Sequence, residues 1–240
     1  MSGAAPRVDE DHHVHSTFSD DAVSSLAENL DAARRAGLRT VRMVDHVRVS
    51  TTYVPQMLAA VRALPVVEGL RVLTGVEAKI LDARGAIDAP PQMLAALGTP
   101  DGPDRVLLAD HQVPGTDGPW SPSTTVRMVA EGRVSPSDVV ELVVTGTLRA
   151  VERAGRAQVA HPFSILPKVG LTEDDVPDAL LDDLARVLVA TGTPVEVNEK
   201  WRCPGVRVTD RWRAAGVTLV ASTDAHRADD VGVYRWVGSP

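Results

Sequence analysis

Cysteine and aromatic residues are scarce in this chain of 240 residues, and their scarcity narrows the class of protein. Cys203 is the only cysteine, so no disulfide can form within the chain, which fits a reducing compartment. Phe, Trp and Tyr together make up 3% of the residues, whereas apolar residues make up 44%. The core must therefore be packed mainly from aliphatic side chains.

Long apolar runs and a basic excess are also missing. No run approaches the ~20 apolar residues of a membrane helix, and residues 1–12 contain no apolar segment of the signal-peptide type. We therefore expect a cytoplasmic protein with no membrane partner. The 32 acidic residues outnumber the 25 basic ones, for a net charge of -7, which argues against broad binding to a nucleic-acid backbone. A phosphorylated substrate is still compatible with this charge, because bound divalent cations would dominate the local field.

The hydrophobic pattern alternates between strand and helix along the whole chain. Seven strands are predicted, at residues 7–14, 38–44, 71–76, 105–109, 157–160, 194–197 and 217–221. The predicted helices cover residues 20–36, 53–64, 91–97, 137–154, 177–190 and 209–215, and a Gly- and Pro-rich loop covers 114–122. No break in composition divides the chain, so we expect one α/β domain over residues 1–240. Strands that alternate with helices imply a parallel sheet with right-handed crossovers.

Six of the seven histidines follow short apolar runs that read as strands. They are His13, His15, His46, His111, His161 and His226. Imidazole is the commonest nitrogen ligand for zinc, iron and manganese. Ligand-type residues at the ends of so many strands favour a closed barrel over an open sheet, whose site two or three strands would supply. The pattern therefore predicts a polynuclear metal site and metal-assisted hydrolysis.

Spacing supports this interpretation at both ends of the chain. His13 and His15 share one face of an extended segment, because the side-chain period of a strand is two. Asp224 and His226 have the same relation after the last strand. Glu77, after the third strand, is a carboxylate that can bridge two metal ions. Any one of these residues taken alone would more often be structural, and only their joint pattern favours a metal site.

Three further residues near the histidines have more than one interpretation. Asp20 is explained almost as well as the N-cap of a helix. His12 is expected to point away from the cavity, opposite to His13. For Asp11, orientation of an imidazole and a surface role are about equally plausible.

The histidine-bearing segments also occur in a recognisable order. They are Asp11-His12-His13-Val14-His15-Ser16 with Ser19-Asp20, Asp45-His46, Gly75-Val76-Glu77, His111, His161-Pro162 and Thr223-Asp224-Ala225-His226. On these motifs the chain resembles the PHP (polymerase and histidinol phosphatase) family. The resemblance implies the PHP fold, a distorted seven-stranded (β/α)7 TIM-like barrel, which agrees with the seven strands predicted independently.

The resemblance implies two to three divalent transition metals, and their mixed nitrogen and oxygen ligands suit Zn, Fe or Mn. The first metal would be held by His13, His15, Glu77 and Asp224, the second by Glu77, His111 and His161, and the third by Asp20, His46 and His226. Two departures from the family concern other positions. Asp21 stands where the family often has Gly after Ser-Asp, and Ala109 and Asp110 precede His111 where the family often has a serine.

The activity implied by the resemblance is that of a metal-dependent phosphoesterase. It would hydrolyse a small phosphomonoester, in the manner of histidinol phosphatase, through a metal-bridging hydroxide. The expected catalytic residues are Glu77, Asp224 and His226. Lys200, Arg202 and Arg227 lie just beyond ligand-bearing strands and are candidates for binding the substrate's phosphate, with a solvated charge at least as plausible for each.

Three other functions are compatible with the same residues. One is a phosphodiesterase or exonuclease of the same family that acts on short oligonucleotides, which is the only nucleic-acid contact we expect. Another is a PHP module that binds metal without catalysis, although none of the predicted ligand positions is degraded. An amide or lactone hydrolase is a weaker alternative. The sequence leaves the oligomeric state open.

Overall fold

The computed structural model describes residues 5–238, so residues 1–4 and 239–240 of the expected domain lie outside it. Its main sheet consists of β1 (Glu10–Val14), β2 (Thr40–Val47), β3 (Arg71–Lys79), β4 (Arg105–Ala109), β5 (Ala157–Val159), β6 (Val195–Asn198) and β7 (Leu219–Ser222). All neighbouring strands pair in parallel and follow one another in chain order.

The sheet curves until its last strand approaches its first. The amide of His15 donates a hydrogen bond of 2.8 Å to the carbonyl of Ala225, and the amide of Ala225 donates one of 3.3 Å to the carbonyl of His13. Val14 and Ala225 form an isolated parallel bridge at the same place. The predicted seven-stranded TIM-like barrel is therefore confirmed, with closure through the segment that follows β7.

Seven α-helices surround the strands within residues 5–238. They are α1 (Leu26–Arg35), α2 (Val54–Arg62), α3 (Pro91–Ala95), α4 (Pro122–Ala130), α5 (Pro136–Ala154), α6 (Asp178–Thr191) and α7 (Val206–Ala215). Within the described residues, none of these helices is long and apolar enough to cross a membrane. A small hairpin, Val113–Pro114 with Pro119–Trp120, follows β4.

The core is aliphatic, as the composition predicted. The largest cluster packs the outer face of the sheet against the helices and contains Val, Leu, Ile and Ala with few aromatic rings. Inside the barrel, Val44, Leu107, Ala109 and Ala160 form a small cluster of their own. Because Val44 lies two residues before His46 on the same strand, this cluster packs beneath the histidine-bearing end of the barrel.

The helices differ from the predictions mainly in three places, one of which is α7, which begins at Val206 where residue 209 was expected. The first helix was expected from residue 20 but begins at Leu26, because Ser25 and Glu28 form a capping box in which each side chain bonds the other's backbone amide. Residues 20 and 21 lie instead in the turn between β1 and this helix. Helix α4 was not predicted, although Ser121 caps it and Pro122 occupies its first turn. The capping signals for α1 and α4 were present in the sequence.

Candidate metal centre

Glu77, near the end of β3, lies at the middle of the histidines and is 2% exposed. Its Oε1 lies 3.0 Å from His161 Nε2 and 3.1 Å from His111 Nε2. The nitrogens around its Oε2 are His46 Nδ1 at 2.9 Å, His15 Nε2 at 3.3 Å and His13 Nε2 at 3.4 Å. One carboxylate thus faces five imidazoles, supplied by strands from around the barrel.

The geometry around Glu77 Oε2 is not that of ordinary hydrogen bonding. This oxygen is buried and has no hydrogen bond of acceptable geometry from the described part of the chain, although three imidazole nitrogens lie within 3.4 Å of it. A buried oxygen with no partner is costly. A cation placed among these atoms would satisfy the oxygen and the nitrogens together.

A buried carboxylate on the far side of the barrel orients His13. Its Nδ1 lies 3.0 Å from Glu196 Oε1, and Glu196, on β6, is fully buried. Because an ionised carboxylate can only accept, Nδ1 carries the proton and Nε2 presents a lone pair to the centre. Glu196 also accepts hydrogen bonds from the side chain of Gln158 and the amide of His161, which fix the carboxylate in place.

Two serines orient His15 and His161 in the same way. Ser19 Oγ donates to Asp45 at 2.7 Å and lies 3.3 Å from His15 Nδ1. Since its only proton is committed to Asp45, Ser19 must accept from the imidazole.

The second serine, Ser164, donates to Asp110 at 2.8 Å and lies 3.0 Å from His161 Nδ1. The Nε2 lone pairs of both imidazoles therefore also point to the centre. In the neutral imidazoles these lone pairs face each other, since His13 Nε2 and His15 Nε2 are 2.9 Å apart. At that distance the two lone pairs repel unless a proton lies between them or a metal cation binds beside them.

The raised pKa values of the buried imidazoles also indicate that the carboxylates around them favour bound positive charge. Burial disfavours the charged imidazole of His13, but the carboxylates of Glu196, Glu77 and Asp224 outweigh it and raise the pKa of His13 well above its usual value. Burial likewise opposes the charge on His161, yet Asp110 and Glu77 raise its pKa to about 10. Protons would supply the missing charge in the metal-free protein, and metal ions would replace them.

The buried charges of the molecule are unbalanced as well. Among the described residues, the buried acidic side chains are Asp11, Asp45, Glu77, Asp82, Asp110, Glu196 and Asp224. Arg42 is the one buried guanidinium in the same range, and no lysine is buried there. Because an unpaired buried charge is expensive, this excess of carboxylates fits a centre that binds divalent metal ions.

The two carboxylate oxygens of Asp224 have different contacts. Oδ2 accepts from Trp201 Nε1 at 2.7 Å and pairs with Lys200 Nζ at 3.1 Å. Oδ1 faces the imidazoles instead, 3.2 Å from His15 Nε2 and 3.8 Å from His13 Nε2. Trp201 and Lys200 therefore hold the carboxylate with one oxygen free for a metal.

The backbone at Asp224 is strained, with φ of 53°. Asp11 holds the segment before it: its carboxylate accepts from the amide and hydroxyl of Thr223 at 3.0 and 2.6 Å, and from the amide of Gly232. Asp11 was considered as a partner of an imidazole or as a surface residue. It is instead fully buried and bonds the backbone that presents Asp224.

Eight of the nine predicted metal ligands come together. Among the described residues, three sets of ligand atoms lie within 4.8 Å of one another, and they are His13, His15 and Asp224; His13, Glu77 and His161; and His15, His46 and His226. The first set lies within the predicted first site. The second shares Glu77 and His161 with the predicted second site, and His111 lies 3.1 Å from the same Glu77 oxygen. His12, expected to point away, pairs with Glu10 at 3.0 Å.

The ninth predicted ligand, Asp20, does not lie beside His46 and His226, whereas the adjacent Asp21 does. Asp21 Oδ2 lies 3.3 Å from His46 Nε2 and 3.3 Å from His226 Nε2. Asp20 is exposed, and the structure gives it no contact with either imidazole. The choice of Asp20 followed the Ser-Asp motif, and the turn between β1 and α1 determines which of the two adjacent carboxylates faces the imidazoles.

The three predicted substrate-binding cations line a cavity of about 420 Å³ beside Asp224 and His226. Arg202 and Arg227 are exposed there. Lys200 is already paired with Asp224, so it would have to exchange this ion pair to contact a substrate. Three acidic residues, Glu199, Asp229 and Asp230, line the same cavity.

Comparisons with known proteins agree with this description. A probable phosphatase of Thermoanaerobacter sp. is 24% identical over 92% of this chain and 80% of its own length. Another, from Caldanaerobacter subterraneus, is 33% identical over 36% of this chain and 35% of its own length. No family model matches the sequence.

Two solved structures share the fold over nearly the whole chain. The histidinol phosphate phosphatase of Lactococcus lactis, solved with zinc, L-histidinol and phosphate, has a TM-score of 0.61 and 15% identity, and covers 91% of this chain and 86% of its own. A putative histidinol phosphatase of Listeria monocytogenes has a TM-score of 0.66 and 14% identity, and the match covers 93% of this chain and 97% of the Listeria chain. The resemblance found in the motifs is thereby confirmed: the chain has the PHP fold of the histidinol phosphatases and is similar in sequence to bacterial probable phosphatases.

Proposed function

We propose that the protein is a metal-dependent phosphoesterase that hydrolyses a small phosphomonoester, with histidinol phosphate as the named candidate. The observation that carries the proposal is the convergence of imidazole nitrogens on Glu77. Such a set of nitrogen ligands around one shared carboxylate is suited to several divalent ions, which would displace the imidazole protons. The fold of histidinol phosphatases and the similarity to probable phosphatases support the same class of reaction.

The ligands divide among two to three metal positions. His13, His15 and Asp224 would hold one ion, and His111 and His161 a second, with Glu77 shared. Asp21, His46 and His226 would hold the third. Zn, Fe and Mn all suit this mixture of ligands. When bound, such ions lower the pKa of a water to make a nucleophile and neutralise charge on the phosphoryl oxygens.

The chain's own side chains prepare the site for this chemistry. Glu196, Ser19 and Ser164 keep the imidazoles in the tautomer that binds metal. Trp201 and Lys200 keep one oxygen of Asp224 directed to the centre. Arg202 and Arg227, on the wall of the larger cavity, are candidates for contacts with an anionic substrate.

The acidic residues around the barrel mouth favour a small substrate over a nucleic-acid strand. A nuclease that follows several nucleotides needs a basic groove along the strand. Here Glu199, Asp229 and Asp230 lie among the basic side chains of the cavity of about 420 Å³. Asp20 and Asp21 line a second, smaller cavity of about 170 Å³ beside His46 and His111. Extended contact with a polyanion would meet repulsion on both sides.

A substrate panel on protein of measured metal content tests the proposal. We expect more than one transition metal per chain by elemental analysis, and a higher kcat/KM for small phosphomonoesters than for single-stranded oligonucleotides. Less than one metal per chain, unchanged by added Zn, Mn or Fe, would disprove the polynuclear centre. Efficient oligonucleotide degradation with negligible monoester turnover would favour the phosphodiesterase alternative instead.

A further inference from the structure

Lysine is rare in this protein, and its positions are not random. Of the 25 basic residues, only Lys79, Lys168 and Lys200 are lysines. Lys79 ends β3, Lys168 lies in the 3₁₀ turn that follows β5, and Lys200 comes two residues after β6. All three thus follow or end strands at the edge of the barrel that carries the histidines. An ammonium differs from a guanidinium as a compact point charge with three donors, and it binds phosphate in that form.

Two of the three ammonium groups are already engaged. Lys200 Nζ pairs with Asp224 at 3.1 Å and lies 3.2 Å from His226 Nδ1. Lys168 Nζ lies 4.2 Å from the centre of the Trp201 ring, in a cation–π contact. For the ammonium of Lys79, the structure of residues 5–238 records no hydrogen bond and no ion pair. Lys79 is therefore the lysine whose charge is available to a ligand.

The surroundings of Lys79 place that charge beside the metal centre. Lys79 lies two residues after Glu77 on β3, so both side chains project from the same face of the strand. A cavity of about 170 Å³ is lined by Lys79 together with Glu77, His46, His111 and Asp21. The carboxylates of this cavity form no ion pair with the half-buried Lys79, so they do not hold its ammonium.

The two cavities adjoin the same group of imidazoles. His46 lines the smaller one and His226 the larger one, and both imidazoles contact the same oxygen of Asp21. The smaller cavity, which the exposed Arg48 also lines, suits a compact tetrahedral anion held between metal ions and basic side chains. The larger, of about 420 Å³, has room for the remainder of a small substrate.

We propose that Lys79 binds the phosphoryl oxygens of the substrate from the smaller cavity, while the leaving group occupies the larger one. This assignment rests on the proposed phosphoesterase function. It gives Lys79 a direct contact with the substrate and leaves Lys200 to hold Asp224. No covalent step is assigned to Lys79.

Inorganic phosphate is the probe for this assignment. Its dissociation constant is measured by titration calorimetry on the full-length, metal-loaded protein, at fixed ionic strength and matched metal content. Lys79→Met keeps the aliphatic stem and removes the charge, and we expect it to weaken phosphate binding at least about tenfold, as for loss of one charge-assisted hydrogen bond. Lys79→Arg restores part of the affinity. Arg71→Ala, which removes an exposed cation from the opposite end of β3, leaves the constant unchanged.

The outcomes separate this assignment from the proposed function. Equal phosphate affinity in Lys79→Met and the wild-type protein would overturn the role of Lys79, and so would the absence of phosphate binding by the loaded wild-type protein. If the wild-type protein binds phosphate but hydrolyses no phosphomonoester, the proposed function fails, while the lysine variants still determine whether Lys79 binds the anion.

Discussion

Three histidines at the barrel mouth, His13, His15 and His161, use their two ring nitrogens for different contacts. One nitrogen donates to an acidic or hydroxyl group behind it, and the other presents its lone pair to the centre. The partners behind the rings, Glu196, Ser19 and Ser164, therefore matter for metal binding although none of them needs to touch a metal. Such partners typically account for 10- to 100-fold in metal affinity, roughly 1–3 kcal/mol.

Glu77→Gln should be far more damaging than His12→Ala. The amide removes the charge that five imidazoles face, so we expect both metal content and kcat/KM to fall, the latter at least about a hundredfold. His12 pairs with Glu10 away from the centre, and its loss should leave both quantities close to wild type. Elemental analysis and steady-state kinetics measure the two effects. Similar losses in the two variants would show that β1 faces the other way.

The adjacent carboxylates Asp20 and Asp21 permit a matched comparison. Because Asp21 contacts both His46 and His226, Asp21→Asn should weaken the third metal roughly tenfold or more, a larger effect than that of Asp20→Asn. The two substitutions remove the same charge one residue apart, so overall electrostatics cancel in the comparison. Metal titration of the two variants provides the measurement, and a greater loss with Asp20→Asn would restore the assignment made from the motif.

At the scale of elements, strand ends carry the ligands and helix caps set where the connecting chain turns. Asn29 on α1 shows how the two are joined, because its side-chain amide donates to the carbonyl of His15 at 2.7 Å. The helix thereby holds the end of β1, where two of the proposed metal ligands lie. The start of α1 at Leu26, fixed by its capping box, places Asn29 for this contact.

The long helix α5 allows capping to be tested away from the centre. Ser135 accepts from the amide of Asp138 at 3.1 Å, while the carboxylate of Asp138 accepts from the amide of Ser135. We expect Ser135→Ala to lower the free energy of unfolding by about 1 kcal/mol, and Ser135→Thr to retain most of it. Urea denaturation measures the change, and metal content should be the same in both. An unchanged midpoint for Ser135→Ala would mean that the cap contributes nothing to stability.

At the scale of the whole molecule, the concentration of buried carboxylates makes stability depend on what neutralises them. In the metal-free protein the imidazolium groups perform this role. The pKa values of His13, His15 and His161 are raised in the fold, in the last case to about 10, against about 6.5 in an unfolded chain. Their contribution is therefore complete below about pH 6.5 and is lost as the pH rises toward the folded values.

We accordingly expect the chelated protein to be less stable at pH 9 than at pH 6.5. The increase in stability on metal binding should show the opposite trend and be larger at pH 9. Metal binding requires deprotonated imidazoles and therefore becomes easier as the pH rises. Urea denaturation at the two pH values, with chelator and with zinc, measures both trends. A chelated protein that is as stable at pH 9 as at pH 6.5 would contradict the proposed charge balance.

The single-domain organisation over residues 1–240 stays a prediction, whereas the barrel itself was predictable from local signals. Strand number and order followed from the alternation of apolar runs and helices. The histidines at strand ends predicted which edge carries the site. These inferences succeed because parallel strands bring their carboxyl ends to one edge whatever the details of packing.

The fold class and the candidate ligand residues follow from local sequence patterns, since both depend on periodicities of a few residues. Which groups meet across the barrel depends on three-dimensional packing. Glu196 reaches His13 over 183 residues of sequence, and Asp21 rather than Asp20 faces His46 and His226. The ammonium of Lys79 lines the same cavity as Glu77 and has no hydrogen bond or ion pair among residues 5–238. Such contacts depend on strand register, turn geometry and barrel closure together. A local sequence pattern cannot predict them, because the residues involved come from different strands and turns.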